Sequence, residues 1–185
     1  MFFISKHLHF TIWLTLKSDD DTTVSMNTKD ILEVGHKKVL KSVEGLSKKA
    51  WITAGACGVW SVKDIMAHLA SYEHSQIDGL QRVLGKPSPT LDAMDKGHQE
   101  FNDAVIAKAK KLSPDEVLAD YTKTFTKLLK LLKELTPQKL AKKGTIPWYG
   151  KDYSLEDFFV YQGYGHKREH AAQIFMFRDR LSSKR

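Results

Sequence analysis

Tyr164-Gly165-His166-Lys167-Arg168-Glu169-His170-Ala171-Ala172-Gln173-Ile174 lies near the end of a long apolar-patterned segment and carries two histidines four residues apart. On a helix, four residues advance about 400°, so both rings leave one face about 40° apart and one turn along the axis. Such a pair can hold a metal ion from a single helix, but two ligands are too few for a good site. A third has to come from another element.

The segment opens at Ser154-Leu155-Glu156-Asp157, a Ser-x-x-Asp capping box, and Phe158, Phe159, Tyr161, Ile174, Phe175 and Phe177 supply its bulk. Three more long helices are expected. The first runs from about Thr28 to Lys48, with Thr28 as cap and Ile31, Val34, Val39, Val43 and Leu46 on its apolar face. His36 within it reads as an exposed or core-edge histidine. The second starts at Ser61-Val62-Lys63-Asp64, a capping box with Asp where Glu is commoner, and runs to about Leu84. Ile65, Leu69, Tyr72, Ile77 and Leu80 form its inward side. The third starts at Ser113-Pro114-Asp115-Glu116, with Ser as cap and Pro at the first position, and carries an apolar stripe through Val117, Tyr121, Phe125, Leu128, Leu129, Leu132 and Leu135.

Between these helices the signals are weaker. Ala50 to Trp60, rich in glycine and aromatics, reads as a packed loop, and Gly85-Lys86-Pro87-Ser88-Pro89-Thr90 breaks the second helix. Leu91 to Lys111, which includes His98, is a weakly amphipathic helical piece. Thr136-Pro137 ends the third helix. Lys139 to Asp152 is a long connection containing the aromatic turn Pro147-Trp148-Tyr149-Gly150. No strand pattern stands out. The expected fold is an all-α four-helix bundle, with a connection before the last helix long enough for a crossover.

A chain of 185 residues fits one domain with room for a core. The expected domain spans residues 27–182. Residues 1–26 read as an N-terminal tail outside the fold: Met26-Asn27-Thr28 looks like a fresh protein start, and the Asp19-Asp20-Asp21 stretch before it reads as a solvated linker. Lys6, His7 and His9 interrupt the tail's apolar runs, which fall short of the roughly 20 apolar residues of a membrane span. Neither a membrane segment nor a signal peptide is expected. The single cysteine, Cys57, excludes an internal disulfide and fits a cytoplasmic home. The net charge of +7 admits acidic partners. The stripe Lys123, Lys127 and Lys130 nevertheless reads as a solvated face, and no nucleic-acid signature accompanies it, so nucleic acid is not an expected partner.

Two histidines on the second helix compete for the third ligand position. His74 follows His68 by about 240° of rotation, so only one can face inward. His68 shares its stripe with Asp64 and Tyr72 on the apolar side, whereas His74 sits beside Ser75 and Gln76 and reads as solvent-facing. The candidate metal set is therefore His68, His166 and His170. Three neutral imidazoles suit zinc, nickel or iron(II) and leave a position open for water or substrate, as in catalytic sites. A metal there could acidify a water or a thiol, or polarise a carbonyl. Asp64, Glu169 and Gln173 are candidates for hydrogen bonds to the outer ring nitrogens. Gly163, Gly165, Ala171 and Ala172 leave room for a cofactor. Three satisfied histidines in a polar pocket remain the alternative.

Trp60-Ser61-Val62-Lys63-Asp64-Ile65-Met66-Ala67-His68-Leu69 resembles the second helix of the DinB-like superfamily, with its Trp-Ser/Thr-x-x-Asp/Glu-x-x-x-His-Leu pattern. Gly165-His166-Lys167-Arg168-Glu169-His170-Ala171-Ala172-Gln173-Ile174 resembles its fourth-helix His-x-x-x-His…Gln-Ile motif. The fit covers about residues 27 to 180. The ClbS/DfsB branch and the mycothiol-dependent maleylpyruvate isomerases are the nearest-looking relatives. The resemblance implies a bundle of the DinB/YfiT-like type, a divalent metal (usually zinc or nickel) on three histidines, and often a homodimer. It implies a small-molecule substrate handled by a thiol S-transferase or isomerase using a low-molecular-weight thiol, or by a hydrolase that gives protection from a toxic compound. Ala171-Ala172 depart from the Arg or His, then Gly, often found before the Gln, so no thiol-binding residue carries over. The alternative is a non-catalytic bundle that sequesters a ligand or serves a stress response.

Overall fold

The structure, a computed structural model, describes residues 27–183; the expected tail, residues 1–26, lies outside the described residues. Helix α1 spans Thr28–Val43. Its cap is Asn27 rather than Thr28: the Asp30 N–H donates to Asn27 Oδ1 at 3.0 Å. Thr28 Oγ1 instead donates to Glu156 Oε1 at 2.6 Å and ties the first helix to the start of the last. α1 stops well short of the expected Lys48 because Gly45, at φ 71°, turns the chain. Ser47 then caps a separate short helix, α2, Lys48–Ile52.

The expected loop after it is a small antiparallel hairpin, β1 (Ala54–Cys57) with β2 (Trp60–Ser61). Gly58, at φ 56°, provides the left-handed residue that reverses the chain. Four residues are too few for the alternation that marks a strand in sequence.

Helix α3, Val62–Val83, starts at the expected capping box: the Asp64 N–H donates to Ser61 Oγ at 3.2 Å, and the Ser61 N–H donates to Asp64 Oδ2 at 2.9 Å. The irregular piece resolves into α4, Pro89–Lys96, and α5, His98–Ala109. Helix α6, Pro114–Leu132, begins at the Ser113–Glu116 box, with proline at the first position. The long connection holds α7, Pro137–Leu140, and a single 3₁₀ turn, Pro147–Tyr149. The last long helix is not uniform. It consists of α8, Leu155–Val160, a π turn over Tyr161–His166, and α9, Lys167–Ser182.

α3 packs along α6 and α1 along α9, which makes the all-α bundle expected from the sequence. The apolar interior is divided in two. One cluster gathers Val39, Val43, Ile65, Leu69, Tyr121, Ile174 and Phe177. The other gathers Leu32, Ile77, Leu80, Leu128, Phe158 and Phe159. Along each long helix, buried polar residues lie between the two clusters: His36 on α1, Glu73, Ser75 and Gln76 on α3, Thr124 on α6, and Gln162, His166 and Lys167 on the last. A polar layer therefore crosses the middle of the bundle.

Two glycines bring α1 against this layer. A Cβ on Gly35 would overlap the carbonyl oxygen of Gly163, and one on Gly163 would overlap Leu32 Cδ2. The π turn thus lies backbone to backbone on α1, closer than any side chain permits.

Candidate metal centre

His68 is set by α3, and His166 and His170 by the π turn and the first turn of α9. The structure brings all three together. His68 Nε2 and His166 Nε2 are 3.0 Å apart, and His170 Nε2 is 3.0 Å from the same His166 atom. Each ring is buried, and all three ligand atoms lie within 4.8 Å of one another.

The outer nitrogens decide which face is bare. His68 Nδ1–H donates to Asn102 Oδ1 at 3.1 Å, and His170 Nδ1–H donates to Gln173 Oε1 at 2.8 Å. In a neutral imidazole one nitrogen carries the proton and the other a lone pair. Two lone pairs therefore point at His166 Nε2, which has at most one proton to share between them. His166 Nδ1 is buried with no partner. Without a cation this arrangement turns the electron-rich nitrogens of neutral rings toward one another. A divalent ion satisfies all three, and metal–nitrogen bonds of about 2.0–2.1 Å place neighbouring ligand atoms ~3 Å apart. The donor set therefore fits a metal ion, and the three histidines could hold one.

The surroundings keep the rings neutral. Burial pushes His68 down to about 3, helped by nearby His170 and opposed by the Asn102 hydrogen bond. Burial also drives His166 well below the ordinary histidine range, with His170, His68 and Lys167 adding to the effect. Burial lowers His170, against the Gln173 bond. Neutral imidazoles are the form a metal needs.

Aromatic rings wall the site. Trp60 and Tyr72 lie 5.1 and 4.5 Å from the His68 ring, centre to centre, and Tyr72 lies 4.7 Å from that of His166. Tyr161 stacks on His166 at 6.4 Å. Burial raises the Tyr72 phenol to about 12, opposed by a hydrogen bond from Asn102, so at neutral pH it keeps its proton and can donate.

Gln173 is where the sequence reading places it, on the outer nitrogen of His170. Asp64 and Glu169 are not. Asp64 is committed to capping α3 through Ser61, and Glu169 is exposed. Asn102 takes the position on His68, and nothing in the weakly patterned α5 sequence marks it. Burial raises the Cys57 thiol, an effect opposed by the Gln173 side chain. His74 turns away from the triad toward Thr124 Oγ1, at 3.3 Å, and Asp120, and is half-exposed. Lys123, Lys127 and Lys130 are exposed, as a solvated face requires.

His36 is not part of the triad. It is buried, stacked on Phe125 at 3.8 Å and Tyr121 at 4.8 Å, with Nδ1 3.6 Å from Glu73 Oε1. Lys167 Nζ donates to the same Glu73 oxygen at 2.6 Å. The sequence reading passed over this pair. Its signal was present, since Glu73 lies on the stripe of Leu69, Gln76 and Leu80, and an acid on a core stripe requires a buried partner.

A family model of the DinB superfamily matches residues 31–174, a span that includes all three histidines, Asn102 and Gln173. The chain belongs to the DinB superfamily. Comparison with curated proteins and with solved structures finds no significant match. Among the described residues of this DinB-superfamily chain, no helix is long and apolar enough to cross a membrane.

Proposed function

We propose that His68, His166 and His170 hold a divalent metal ion, zinc or nickel before iron, in a cytoplasmic enzyme acting on a small electrophilic molecule. The reaction classes that suit the site are thiol S-transfer and hydrolysis, in detoxification or stress protection of the kind found in the ClbS/DfsB branch. The observation that carries the reading is the convergence of three buried Nε2 atoms, two of them bared by Asn102 and Gln173.

When bound, the metal supplies Lewis-acid activation of a water, a thiol or a carbonyl at its open position. The chain's own residues supply the rest. Asn102 and Gln173 hold the two imidazoles in the ligating tautomer. Trp60, Tyr72 and Tyr161 shield the site from bulk water and present flat apolar surface to a substrate. The Tyr72 phenol, protonated at neutral pH, can donate a hydrogen bond to an oxygen on the substrate.

The test is turnover. Zinc- or nickel-reconstituted protein is incubated with a panel of epoxides, activated alkenes and strained lactams, with and without a low-molecular-weight thiol. Metal-dependent consumption of one class, lost in His170→Ala, is expected. Thiol dependence separates transferase from hydrolase. Failure to turn over any class, together with full cellular protection by His68→Ala, would favour a ligand-sequestering bundle instead.

A further inference from the structure

We infer that the buried Glu73–Lys167 pair is a positioning device for the histidine site: it fixes the rotation of α9, and with it the directions of His166 and His170. The inference rests on the reading of the three histidines as a metal site.

Lys167 follows His166 directly, so one stretch of backbone carries both. His166 Nε2 meets His68 and Lys167 Nζ meets Glu73, at 3.0 and 2.6 Å, and both partners are on α3. His68 and Glu73 lie a little over one turn apart and on different stripes of that helix. Two contacts on two stripes lock α9 against turning, where one contact would leave a pivot.

Without the pair, the polar anchors of α9 are Arg178 and Arg180, which donate to the carbonyls of Lys41, Ser42 and Gly55 beyond the histidines, toward the C-terminal end of the helix. The π turn over Tyr161–His166 accommodates an extra residue relative to a regular helix. A one-residue slip through it would turn α9 by about 100° and carry both histidines off the site. Apolar burial resists such a slip weakly, because the buried apolar residues of α9 are only Ala171, Ile174 and Phe177, while Met176 is 65% exposed. The charged pair resists it strongly. Glu73 is 0% and Lys167 1% exposed, and the lysine ammonium lies over the Tyr121 and Phe125 rings at 5.4 and 5.0 Å. A slipped register would strand both charges in the core.

A stability role alone does not account for the pair. Replacing a buried ion pair by apolar residues of similar volume is often neutral or stabilising, and the best-attested use of such pairs is to set register. Among the described residues, this is the one lysine–carboxylate pair with both side chains buried.

The test is the double variant Glu73→Leu/Lys167→Met, with two readouts on protein of parental melting temperature. Cobalt(II) titration reads metal affinity, and ¹⁵N shifts of the imidazole rings in metal-free protein read the position of His166. A positioning role predicts retained stability, cobalt affinity weakened about 10- to 100-fold, as for other residues that orient ligands, and displaced His166 ring resonances. Parental affinity and parental shifts would overturn it. Glu73→Gln/Lys167→Met, which likewise leaves no unpaired charge, carries the same readouts and expectations if the first double variant does not fold. If the parent protein binds no cobalt, the metal reading fails, and the ring shifts decide the positioning role alone.

Discussion

Two buried polar clusters meet between α3 and the start of α9, and they differ in how their polar groups are matched. The Glu73–Lys167–His36 cluster contains its own cation: acid and base lie 2.6 Å apart. The His68–His166–His170 cluster contains three like groups and no cation of its own. The first balances its charge internally, although Glu73 Oε2 and His36 Nδ1 are buried without a hydrogen-bond partner. The second has the donor set of a metal site and, on the proposed reading, is completed by a positive centre supplied from outside. The comparison shows how one helix start can serve both, since adjacent residues His166 and Lys167 reach different stripes of α3. It also separates what maintains the architecture from what is offered to a ligand.

The comparison breaks hardest at the closed cluster. Glu73→Ala leaves the Lys167 charge buried and unpaired and should cost about 3–5 kcal/mol in urea unfolding. The matching truncation in the metal-free open cluster, His68→Ala, strands only the Asn102 amide and should cost about 1–3 kcal/mol. Equal losses would mean that the clusters do not differ in kind.

Gly35→Ala attacks the contact that brings the π turn to both clusters. Alanine is the better helix former by about 1 kcal/mol, yet its methyl would collide with the Gly163 carbonyl oxygen. Net destabilisation of about 1–3 kcal/mol by thermal melting is expected, with metal affinity falling alongside it.

Gln173→Ala and Glu169→Ala sharpen the picture of the open cluster alone. Removing the hydrogen bond to His170 should weaken zinc binding about 10- to 100-fold by chelator competition. The exposed Glu169 should leave it unchanged.

Acid should unload the open cluster. A histidine held down in the fold takes up protons first in the unfolded chain, so stability is present above the unfolded value and lost as pH falls. For His68 the window runs from 6.5 down to about 3. His166 and His170 share its direction. In metal-free protein each fully linked histidine should give a slope of about 1.4 kcal/mol per pH unit, and His68→Ala should flatten the curve measured by urea unfolding.

Much of this was legible in the sequence where a single helix encodes it. The capping boxes at Ser61, Ser113 and Ser154 mark real helix starts, and the spacing of His166 and His170, together with the stripe of His68, identifies the three residues that converge. Relations between helices were not legible. Asn102 reaches His68 from a segment without clear periodicity, and neither residue's local sequence encodes the other. The π turn was hidden because one extra residue hardly alters an apolar pattern already interrupted by Gly163 and Gly165. The hairpin was hidden by its brevity. Glu73 was readable in principle, as an acid on a core stripe, but its partner Lys167 sits in the motif where histidines draw attention.

The central claim, that three histidines form one metal site, is tested most directly by metal content. The untagged protein, reconstituted with zinc and freed of excess, should carry about one ion per chain by elemental analysis, and His166→Ala should carry almost none. A parent that stays metal-free, or a His166→Ala variant that keeps the parental stoichiometry, would contradict it.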